Sequence, residues 1–481
     1  MLRNVIVRLF STRRAIMAPV KPLIAIVGAT GTGKSDLAVE VARKYNGEII
    51  NGDAMQLYEG LPIITNKITR DEMKGVPHHL LGCIGLEEET WTVGKFVSKV
   101  LGVIDEIRSR GKLPILVGGT HYYTQSLLFK DSLSDNLPVE KGNSQETRFP
   151  ILEESTEVIL ARLKEVDPVM ADRWHPNERR KIQRSLEIYL KTGKPASKIY
   201  DEQRLKRELS PHSGDGEEGT TGLRFSTLVF WVHAAKDILY QRLDGRVDKM
   251  IEKGLLSEVE TLSKFSASYE TSTGKHLDQS RGIWVSIGYK EFLKYRAALT
   301  SGTSEKELSQ LKSVAINSTQ AATRQYAKRQ VRWIQIKLLN ALINAGQQGN
   351  TFLVDGSDIS KWDEKVAQPA NDITKEFLAS GTLPDPLELS TTAREMLVPR
   401  RDYDLAQRPD LWKKKVCDTC GCIAVTENDW NLHIKSRAHR RAVGARKKAE
   451  NAPSPTTRHA KVEREDMVDV LESTSNAFDV K

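Results

Sequence analysis

Short apolar runs alternate with amphipathic stretches in the first part of the chain. Such runs, each bounded by glycine or polar residues, are typical of buried parallel strands, and the stretches between them repeat apolar residues with helical spacing. The candidate strands are residues 23–27, 48–51, 113–117 and, after a long interruption, 226–233. This alternation predicts an α/β fold in which helices cover a parallel sheet.

Other parts of the chain follow different patterns. Residues 140–222 predict a helical insertion that ends in a flexible polar loop, "ELSPHSGDGEEGTTG". Weak periodicity and several prolines over 356–414 predict a linker. The predicted division is a leader at 1–20, core segments at 21–139 and 223–355, the insertion at 140–222, the linker at 356–414, a small basic module at 415–448 and a disordered tail at 449–481.

The N-terminal residues are basic and contain no acidic residue before Asp36. A segment rich in arginine and hydroxyl side chains but free of acids is typical of a mitochondrial transit peptide, with a disordered basic tail as the alternative. Initiation at Met17 would give a cytosolic form, so we expect mitochondrial and cytoplasmic locations. No apolar run approaches the roughly 18 residues of a membrane helix, which predicts a soluble protein. We expect it to be a monomer.

The distribution of charge suggests a polyanionic partner. Lys and Arg number 72 against 63 Asp and Glu, a net charge of +9. The basic residues gather at 3–14, 179–207, 324–337 and 435–448. Any one cluster is equally compatible with a solvated helix face, whereas all four together favour a nucleic acid or a similar partner. Four cysteines are too few for a disulfide scaffold, which favours a reducing compartment.

The sequence "LIAIVGATGTGKSDLAVEVA" places a glycine-rich turn between a strand and a helix. In this context the turn is a phosphate-binding loop, because its backbone N–H groups and the helix N-terminus surround an anion; a chance glycine-rich turn is the alternative. Lys34 would reach the outer phosphate, and the Ser35 hydroxyl would bind Mg²⁺. The predicted diphosphate-binding residues are Gly28, Ala29, Thr30, Gly31, Thr32, Gly33, Lys34 and Ser35.

The predicted strands at 113–117 and 226–233 do not end in the acidic residue that helps to hold Mg²⁺ in many NTP-hydrolysing proteins of this class. The prominent carboxylate is instead Asp53, which comes just after the second strand. Ligands bind at the carboxyl ends of parallel strands, so an aspartate there could accept a proton or hold a metal. The alternative is a turn residue that caps the next helix.

The C-terminal module carries a pattern of two cysteines and two histidines with the spacing of a tetrahedral zinc site. The expected ligands are Cys417 and Cys420 on a hairpin and His433 and His439 on a helix. Val425, Trp430 and Leu432 could form a minimal core. The zinc would be structural, and Cys83 and Cys422 would be ordinary thiols. The basic extension "IKSRAHRRAVGARKK" adds phosphate-binding charge and could direct the protein to the nucleus.

Seven motifs occur in the order found in tRNA dimethylallyltransferases, which the chain resembles over about 22–345. They are "GATGTGKS", "NGDAMQLYEGLPIITNK", "VPHHL", "LVGGTHYYTQSLL", "RRKIQRSLEIY", "SIGYKEF" and "TRQYAKRQ". The resemblance implies transfer of a dimethylallyl group from dimethylallyl diphosphate to N6 of adenosine 37, in the anticodon stem-loop of tRNA. The fold would then be a P-loop core with a helical insertion and, as in eukaryotic members, a ββα-type zinc finger.

The resemblance also implies roles for particular residues. Asp53 would accept the N6 proton, Arg246 would clamp the diphosphate, and Thr120 would line the catalytic pocket. On the residues alone, Arg246 could be a surface arginine, and Thr65 and Thr120 could be satisfied turn residues. The expected tRNA-binding residues are Asp53, Met55, Gln56, Leu57, Thr65, Thr120, Arg180, Arg184, Arg324 and Lys328.

Helical spacing predicts two basic stripes. Arg180, Arg184 and Lys191 fall opposite the apolar Ile182, Leu186 and Tyr189 in one helix, and Arg324, Lys328 and Arg332 follow one another at every fourth residue in another. Either stripe could be a plain solvated face. Competing functions are an adenine-nucleotide prenyltransferase, a P-loop nucleotide kinase, or a nucleic-acid-binding protein with a vestigial P-loop. The basic helices and the zinc pattern disfavour the first, and intact Lys34 and Ser35 disfavour the last.

Overall fold

The computed structural model describes residues 21–88, 90–130, 149–209, 222–274, 277–399 and 409–450. The predicted leader, the centre of the polar loop and the tail from residue 451 lie outside this part of the chain. The chain forms two compact units, and each combines segments that are distant in sequence. The first contains Met1–Asp135 and Glu218–Asp402, and the second contains Asn136–Glu217 and Tyr403–Lys481.

A six-stranded sheet forms the centre of the first unit, and all its neighbouring strands are parallel. The strands are β1 (Pro22–Val27), β2 (Gly47–Asn51), β3 (His78–His79), β4 (Leu113–Val117), β5 (Ser226–His233) and β6 (Thr351–Asp355). Their order across the sheet is β3-β2-β4-β1-β5-β6. The prediction of an α/β parallel-sheet core is therefore confirmed. The four predicted strands are its inner members, and the sequence pattern missed the two edge strands.

Helices cover both faces of this sheet. Those of the first unit are α1 (Lys34–Lys44), α2 (Arg70–Met73), α3 (Val93–Ser109), α4 (His121–Leu128), α9 (Lys236–Glu252), α10 (Leu255–Thr273), α11 (Tyr289–Thr300), α12 (Glu305–Trp333), α13 (Leu339–Asn344), α14 (Gln368–Leu378) and α15 (Thr391–Met396). One apolar layer includes Phe96, Leu127 and Trp231, and the other includes Leu37 and Phe352. The side chains of each strand alternate between the two layers, because successive side chains point to opposite faces of a sheet.

The prediction of a linker over 356–414 is wrong for most of that range. Trp362 packs beside the second apolar layer, and Val366, Ala370, Ile373 and Phe377 are buried in it. The segment is therefore an integral part of the core. Its prolines do not prevent this: Pro369 directly follows a π-helical turn, Asp363–Ala367, that runs into α14, and irregular turns of this kind occur where a side chain interrupts the helical hydrogen bonds.

The helical insertion forms its own core in the second unit. Its helices are α5 (Thr156–Val166), α6 (Pro168–Arg173), α7 (Arg179–Thr192) and α8 (Ala196–Leu209). Ile159, Leu163, Met170, Ile182 and Leu186 are fully buried between them. The insertion is therefore helical, as the sequence predicts, and α7 packs through the apolar face that contains Ile182 and Leu186.

The C-terminal module of the same unit is a hairpin followed by two helices. Its elements are β7 (Lys415–Val416), β8 (Ile423–Ala424), α16 (Glu427–Ile434) and α17 (Arg437–Glu450). Just before the hairpin, the ring of Trp412 packs edge-on against that of Trp174, with the centroids 6.0 Å apart, and the Arg173 guanidinium lies over Trp412. The residues that lead into the module thus contact the insertion. Across the described residues, no helix is long and apolar enough to cross a membrane.

Candidate active site

The glycine-rich loop connects β1 to α1 and is held in a closed conformation. Gly28 has a φ of +151°, and a Cβ atom there would lie 2.4 Å from the carbonyl oxygen of Val232 in β5, so only glycine fits. Gly33, with a φ of +90°, is the N-cap of α1. The Thr32 hydroxyl donates to the carbonyl of Ala29 at 2.9 Å. Residues 28–35 therefore form the phosphate-binding cradle that the sequence predicts, at the N-terminus of a helix.

Two cations lie at this loop. The Lys34 ammonium donates to the carbonyl of Ala29 at 2.7 Å, and Arg246 of α9 donates through Nη1 to the Thr30 hydroxyl at 2.8 Å. Burial lowers the pKa of Lys34 to about 8, although the negative charge of Asp53 raises it and the charge of Arg246 lowers it further. Burial likewise lowers the pKa of Arg246. Two desolvated cations beside a ring of backbone N–H groups make a strong anion site.

Asp53 lies at the carboxyl end of β2 and faces these cations. Its Oδ1 accepts the backbone N–H of Met55 at 2.9 Å and so forms a turn just before a short 3₁₀ helix, Met55–Leu57, whose N-cap is Ala54. Its Oδ2 points toward Gly119, where an added Cβ would lie 2.6 Å away. Burial raises the pKa of Asp53, while the Met55 N–H and the charge of Lys34 lower it. The aspartate therefore has a structural contact on one oxygen and a second oxygen that faces the loop after β4.

The loop after β4 completes the site, because β4 lies between β1 and β2 in the sheet. The Thr120 hydroxyl accepts the backbone N–H of Ala54 at 3.0 Å and so joins this loop to the segment after Asp53. The Thr120 hydroxyl is therefore hydrogen-bonded within the protein, which agrees with the alternative of a turn residue. It nevertheless lies next to the segment that carries Asp53. Parallel strands bring the P-loop, Asp53 and Thr120 to the same edge of the sheet, where ligands bind in such folds.

The cysteines and histidines of the C-terminal module form a compact cluster. Their potential ligand atoms all lie within 4.8 Å of one another, with Cys417 Sγ 3.5 Å from His439 Nδ1 and Cys420 Sγ 3.4 Å from His433 Nε2. These separations match those between the ligands of a tetrahedral zinc ion. His433 is on α16, but His439 is on α17, because the five-residue spacer contains the break between the two helices. Val425 is buried, whereas Leu432 is 61% exposed, so Leu432 is not part of the core.

Comparison with known proteins agrees with this geometry. The sequence model of a family described as IPP transferase matches residues 56–337. The tRNA dimethylallyltransferase of Schizosaccharomyces pombe is 37% identical over 449 residues, which cover 90% of this chain and 96% of that protein. The human tRNA dimethylallyltransferase is 35% identical over 424 residues, 87% of this chain and 85% of that protein. The chain belongs to the tRNA dimethylallyltransferases.

A solved structure of a eukaryotic dimethylallyltransferase acting on tRNA has the same fold. It is 33% identical, with a TM-score of 0.69, and the match covers 90% of this chain and 98% of that one. This protein is accordingly a tRNA dimethylallyltransferase of eukaryotic type, a transferase that acts on tRNA, with a C-terminal Cys₂His₂ cluster. The competing functions, a kinase, a nucleotide prenyltransferase and a vestigial P-loop, gain no support from these relatives.

Two residues of the tRNA dimethylallyltransferase site were missed by sequence reasoning, and both lie on α12. Gln330 accepts the N–H of Thr30 at 2.8 Å and donates to the carbonyl of Gly119 at 2.8 Å, so it ties the P-loop to the loop after β4. Tyr326 lies close enough to Asp53 for that charge, together with burial, to raise the pKa of its phenol. Both belong to the motif "TRQYAKRQ", in which the sequence pattern predicted roles only for the basic residues.

Some predicted tRNA-binding side chains of the first unit are engaged elsewhere. Leu57 is 1% exposed and packs in the core, so its side chain does not face a ligand. Thr65 is 6% exposed, and its hydroxyl donates to the carbonyl of Leu61 at 2.7 Å. This agrees with the alternative that Thr65 is a turn residue whose hydrogen bond is made within the protein. Gln56 donates to the carbonyl of Asn66, and the Met55 sulfur accepts from Ser286. Leu57 therefore contributes by positioning the segment after Asp53.

The two predicted basic stripes are partly neutralised within the protein. In the first unit, Arg324 forms an ion pair with Asp244 of α9, while Lys328 is exposed. In the second unit, Arg184 and Lys191 both pair with Glu187 on α7, while Arg180 is exposed. Helical spacing could not reveal the partner of Arg324, because Asp244 lies on another helix. Lys328 and Arg180 are the exposed cations among the four predicted tRNA contacts of these helices.

Proposed function

We propose that this tRNA dimethylallyltransferase transfers the dimethylallyl group of dimethylallyl diphosphate to N6 of adenosine 37 in the anticodon stem-loop. The observation that carries the proposal is the juxtaposition of Lys34, Arg246 and Asp53: the charge of Asp53 raises the pKa of both cations, and their charges lower the pKa of Asp53. The cations balance the negative charge of a diphosphate, and a base takes the proton that an amine loses when it is alkylated. The site offers both at the carboxyl end of the parallel sheet.

The cradle at residues 28–35 binds the diphosphate as a leaving group. The bond between the allylic carbon and the diphosphate oxygen breaks, its electron pair leaves with the diphosphate, and a new bond joins that carbon to N6. Backbone N–H groups, Lys34 and Arg246 stabilise the growing negative charge most strongly in the transition state. Mg²⁺ would be held by Ser35, which is exposed at the start of α1, and would add charge stabilisation.

Asp53 accepts the N6 proton. Its Oδ1 is committed to the Met55 N–H, so Oδ2, which faces Gly119, is the basic oxygen. Because the fixed Met55 N–H holds the carboxylate in one orientation, little reorganisation is needed at the moment of proton transfer. Thr120 keeps the loop after β4 in place through Ala54.

The tRNA contacts outside the catalytic pocket come from exposed cations and from the C-terminal module. The module holds a structural zinc ion through Cys417, Cys420, His433 and His439, whose mutual distances fit one tetrahedral ion. The adenosine has to leave the stack of the anticodon loop to reach the pocket. Arg180, Lys328 and the basic α17 each bind tRNA phosphates, and a single copy of the chain is sufficient for this reaction.

The decisive assay uses purified protein and dimethylallyl diphosphate with a labelled dimethylallyl group. Label should enter tRNA at adenosine 37 and should not enter AMP or ATP. A matched tRNA with guanosine at position 37 is the control, since it keeps every phosphate but lacks the N6 amine. Incorporation into the guanosine-37 tRNA at the normal rate would overturn the assignment of the acceptor.

We also propose that residues 1–16 direct a share of the protein to mitochondria and that the basic α17 region favours a nuclear share. The acid-free, arginine-containing start of the sequence supports the first idea. A fluorescent fusion that begins at Met17 should lose the mitochondrial signal and keep catalysis in extracts. Unchanged mitochondrial import of this fusion would contradict the transit-peptide assignment.

A further inference from the structure

His121, the first residue of α4, carries an imidazole that the proposed reaction does not use. Its side chain is 4% exposed. Within the described residues, neither Nδ1 nor Nε2 has a hydrogen-bond partner. A neutral imidazole has one donor and one acceptor, and leaving both unpaired in the protein interior costs free energy. A buried group of this kind needs an explanation.

The position of His121 in the fold suggests why its imidazole has no partner within the protein. The residue directly follows Thr120 at the carboxyl end of β4, the strand between β1, which leads to the P-loop, and β2, which leads to Asp53. It also lies in the first turn of α4, where the helix dipole favours an anion. A hydrogen-bond donor here lies at the same carboxyl end of the sheet as the P-loop, and the charge of Lys34 reaches it.

The charges around the ring keep it neutral. Burial and the nearby Lys34 ammonium lower the pKa of His121 to about 3. A further cation near Lys34 would repel its ammonium before the donor binds. A neutral ring still offers one N–H without this repulsion, as backbone amides do.

We propose that His121 is a further diphosphate-binding residue, whose neutral ring donates one hydrogen bond to the diphosphate of the allylic donor. The inference rests on the proposed function, in which the cradle at residues 28–35 binds that diphosphate. It assigns the unpaired imidazole the same ligand as Lys34 and Arg246. The hydrogen bond is made to a charged group, which makes it stronger than one between neutral groups.

The test compares His121→Phe, which keeps the size of the side chain, with His121→Asn, which retains an N–H donor. The readouts are inhibition by inorganic pyrophosphate, the KM for dimethylallyl diphosphate and the Kd for tRNA. His121→Phe should weaken pyrophosphate binding about tenfold or more, as expected for the loss of a hydrogen bond to a charged group. His121→Asn should recover part of this loss, and the Kd for tRNA should not change in either variant.

Thermal unfolding separates binding from packing. If the ring only fills space, His121→Phe should unfold at a higher temperature and bind pyrophosphate as the unmodified protein does, and this result would overturn the inference. His121→Leu provides a second apolar replacement if His121→Phe does not fold. Lys34→Met distinguishes the two proposals: if it loses pyrophosphate binding while His121→Phe and His121→Leu keep it, only the inference about His121 fails. If Lys34→Met keeps it too, the P-loop is not the diphosphate site.

Discussion

At the residue scale, Asp53 combines a structural and a chemical task on its two carboxylate oxygens. Oδ1 accepts the Met55 N–H and fixes the turn that follows, and Oδ2 faces the loop after β4. A change to asparagine keeps an acceptor for the Met55 N–H but removes the basic oxygen. The two tasks can therefore be separated by one substitution.

Asp53→Asn should slow the chemical step by about 10²–10⁴-fold, the usual effect of losing a general base. Single-turnover rates with tRNA and donor both saturating measure this step directly. Affinity for both substrates should change little, and Asp71→Asn, on the exposed helix α2, is the matched control. Partial recovery in excess Mg²⁺ would indicate that Asp53 holds the metal instead. A normal rate would leave the base unidentified.

A second residue-scale prediction concerns Glu48, a buried acid of β2 away from the P-loop. It accepts hydrogen bonds from Arg110 and His79, each at 2.6 Å, and forms an ion pair with Lys112 at 3.0 Å. Burial alone would raise the pKa of Glu48, but these partners hold it at about 2. In the unfolded chain the pKa of a glutamate is about 4.3. The stabilisation from Glu48 is thus complete above that value and is lost as the pH falls toward 2.

Glu48→Gln should lower the free energy of unfolding at pH 7 by about 1–3 kcal/mol, because a neutral amide replaces the buried carboxylate that accepts hydrogen bonds from charged donors. The difference from the unmodified protein should shrink as the pH falls from about 4.3 toward 2. Urea unfolding across this range measures it, with Glu252→Gln, an exposed acid at the end of α9, as the control. If the difference in free energy of unfolding grew toward acid pH, the pKa of Glu48 would not be lowered in the folded protein.

At the element scale, the segment after β6 supports the P-loop from outside the stretch that the family model matches. Trp362 packs on Gly33, where an added Cβ would lie 2.5 Å from its ring, and its Nε1 donates to Glu40 of α1 at 3.2 Å. The Arg242 guanidinium of α9 donates to the carbonyl of Ser357 at 2.6 Å. This segment therefore positions the N-terminus of α1, which binds the diphosphate in our proposal.

Trp362→Ala should raise the KM for dimethylallyl diphosphate severalfold and leave the Kd for tRNA unchanged, because the packing against Gly33 is lost. It should also destabilise the protein by about 2 kcal/mol, less than a fully buried tryptophan would. Trp362→Phe keeps a ring at Gly33 without the bond to Glu40 and should retain most of the affinity for the donor. Equal donor KM values in Trp362→Ala and the unmodified protein would refute a positioning role.

At the scale of the whole molecule, the proposed catalytic residues and the basic C-terminal module are carried by separate units. The P-loop and Asp53 belong to the first unit, whereas the Cys₂His₂ cluster and the basic α17 belong to the second. Binding of RNA and the chemical step should therefore respond differently to changes in the C-terminal module.

Deletion of residues 415–448 should weaken tRNA binding and reduce its dependence on salt, but spare the single-turnover rate at saturating tRNA. Contacts between cations and phosphates release counterions, so losing them lowers the slope of log affinity against log salt. Cys420→Ser should have the same effect if zinc holds the module together, whereas Cys422→Ser, outside the cluster, should not. An unaltered salt slope after the deletion would assign the module to another partner.

The sequence by itself determined the features that depend on neighbours along the chain. The P-loop, the four inner strands, the apolar face of α7 and the spacing of the Cys₂His₂ ligands all follow from local patterns. Each is specified within a few residues by glycine conformation, side-chain alternation or helical periodicity. Motif order was enough to identify the family.

Only the tertiary structure decided which of these features meet. The order of the strands brings Thr120 between the P-loop and Asp53, and Gln330 reaches Thr30 across 300 residues of sequence. The pairing of Arg324 with Asp244 and the packing of Trp362 on Gly33 have the same origin. Such contacts form between segments that are far apart in the chain. The sequence pattern of one segment does not indicate which other segment it will contact. The physical reason is that burial selects apolar faces in general, whereas the choice of partner depends on the packing of the complete fold.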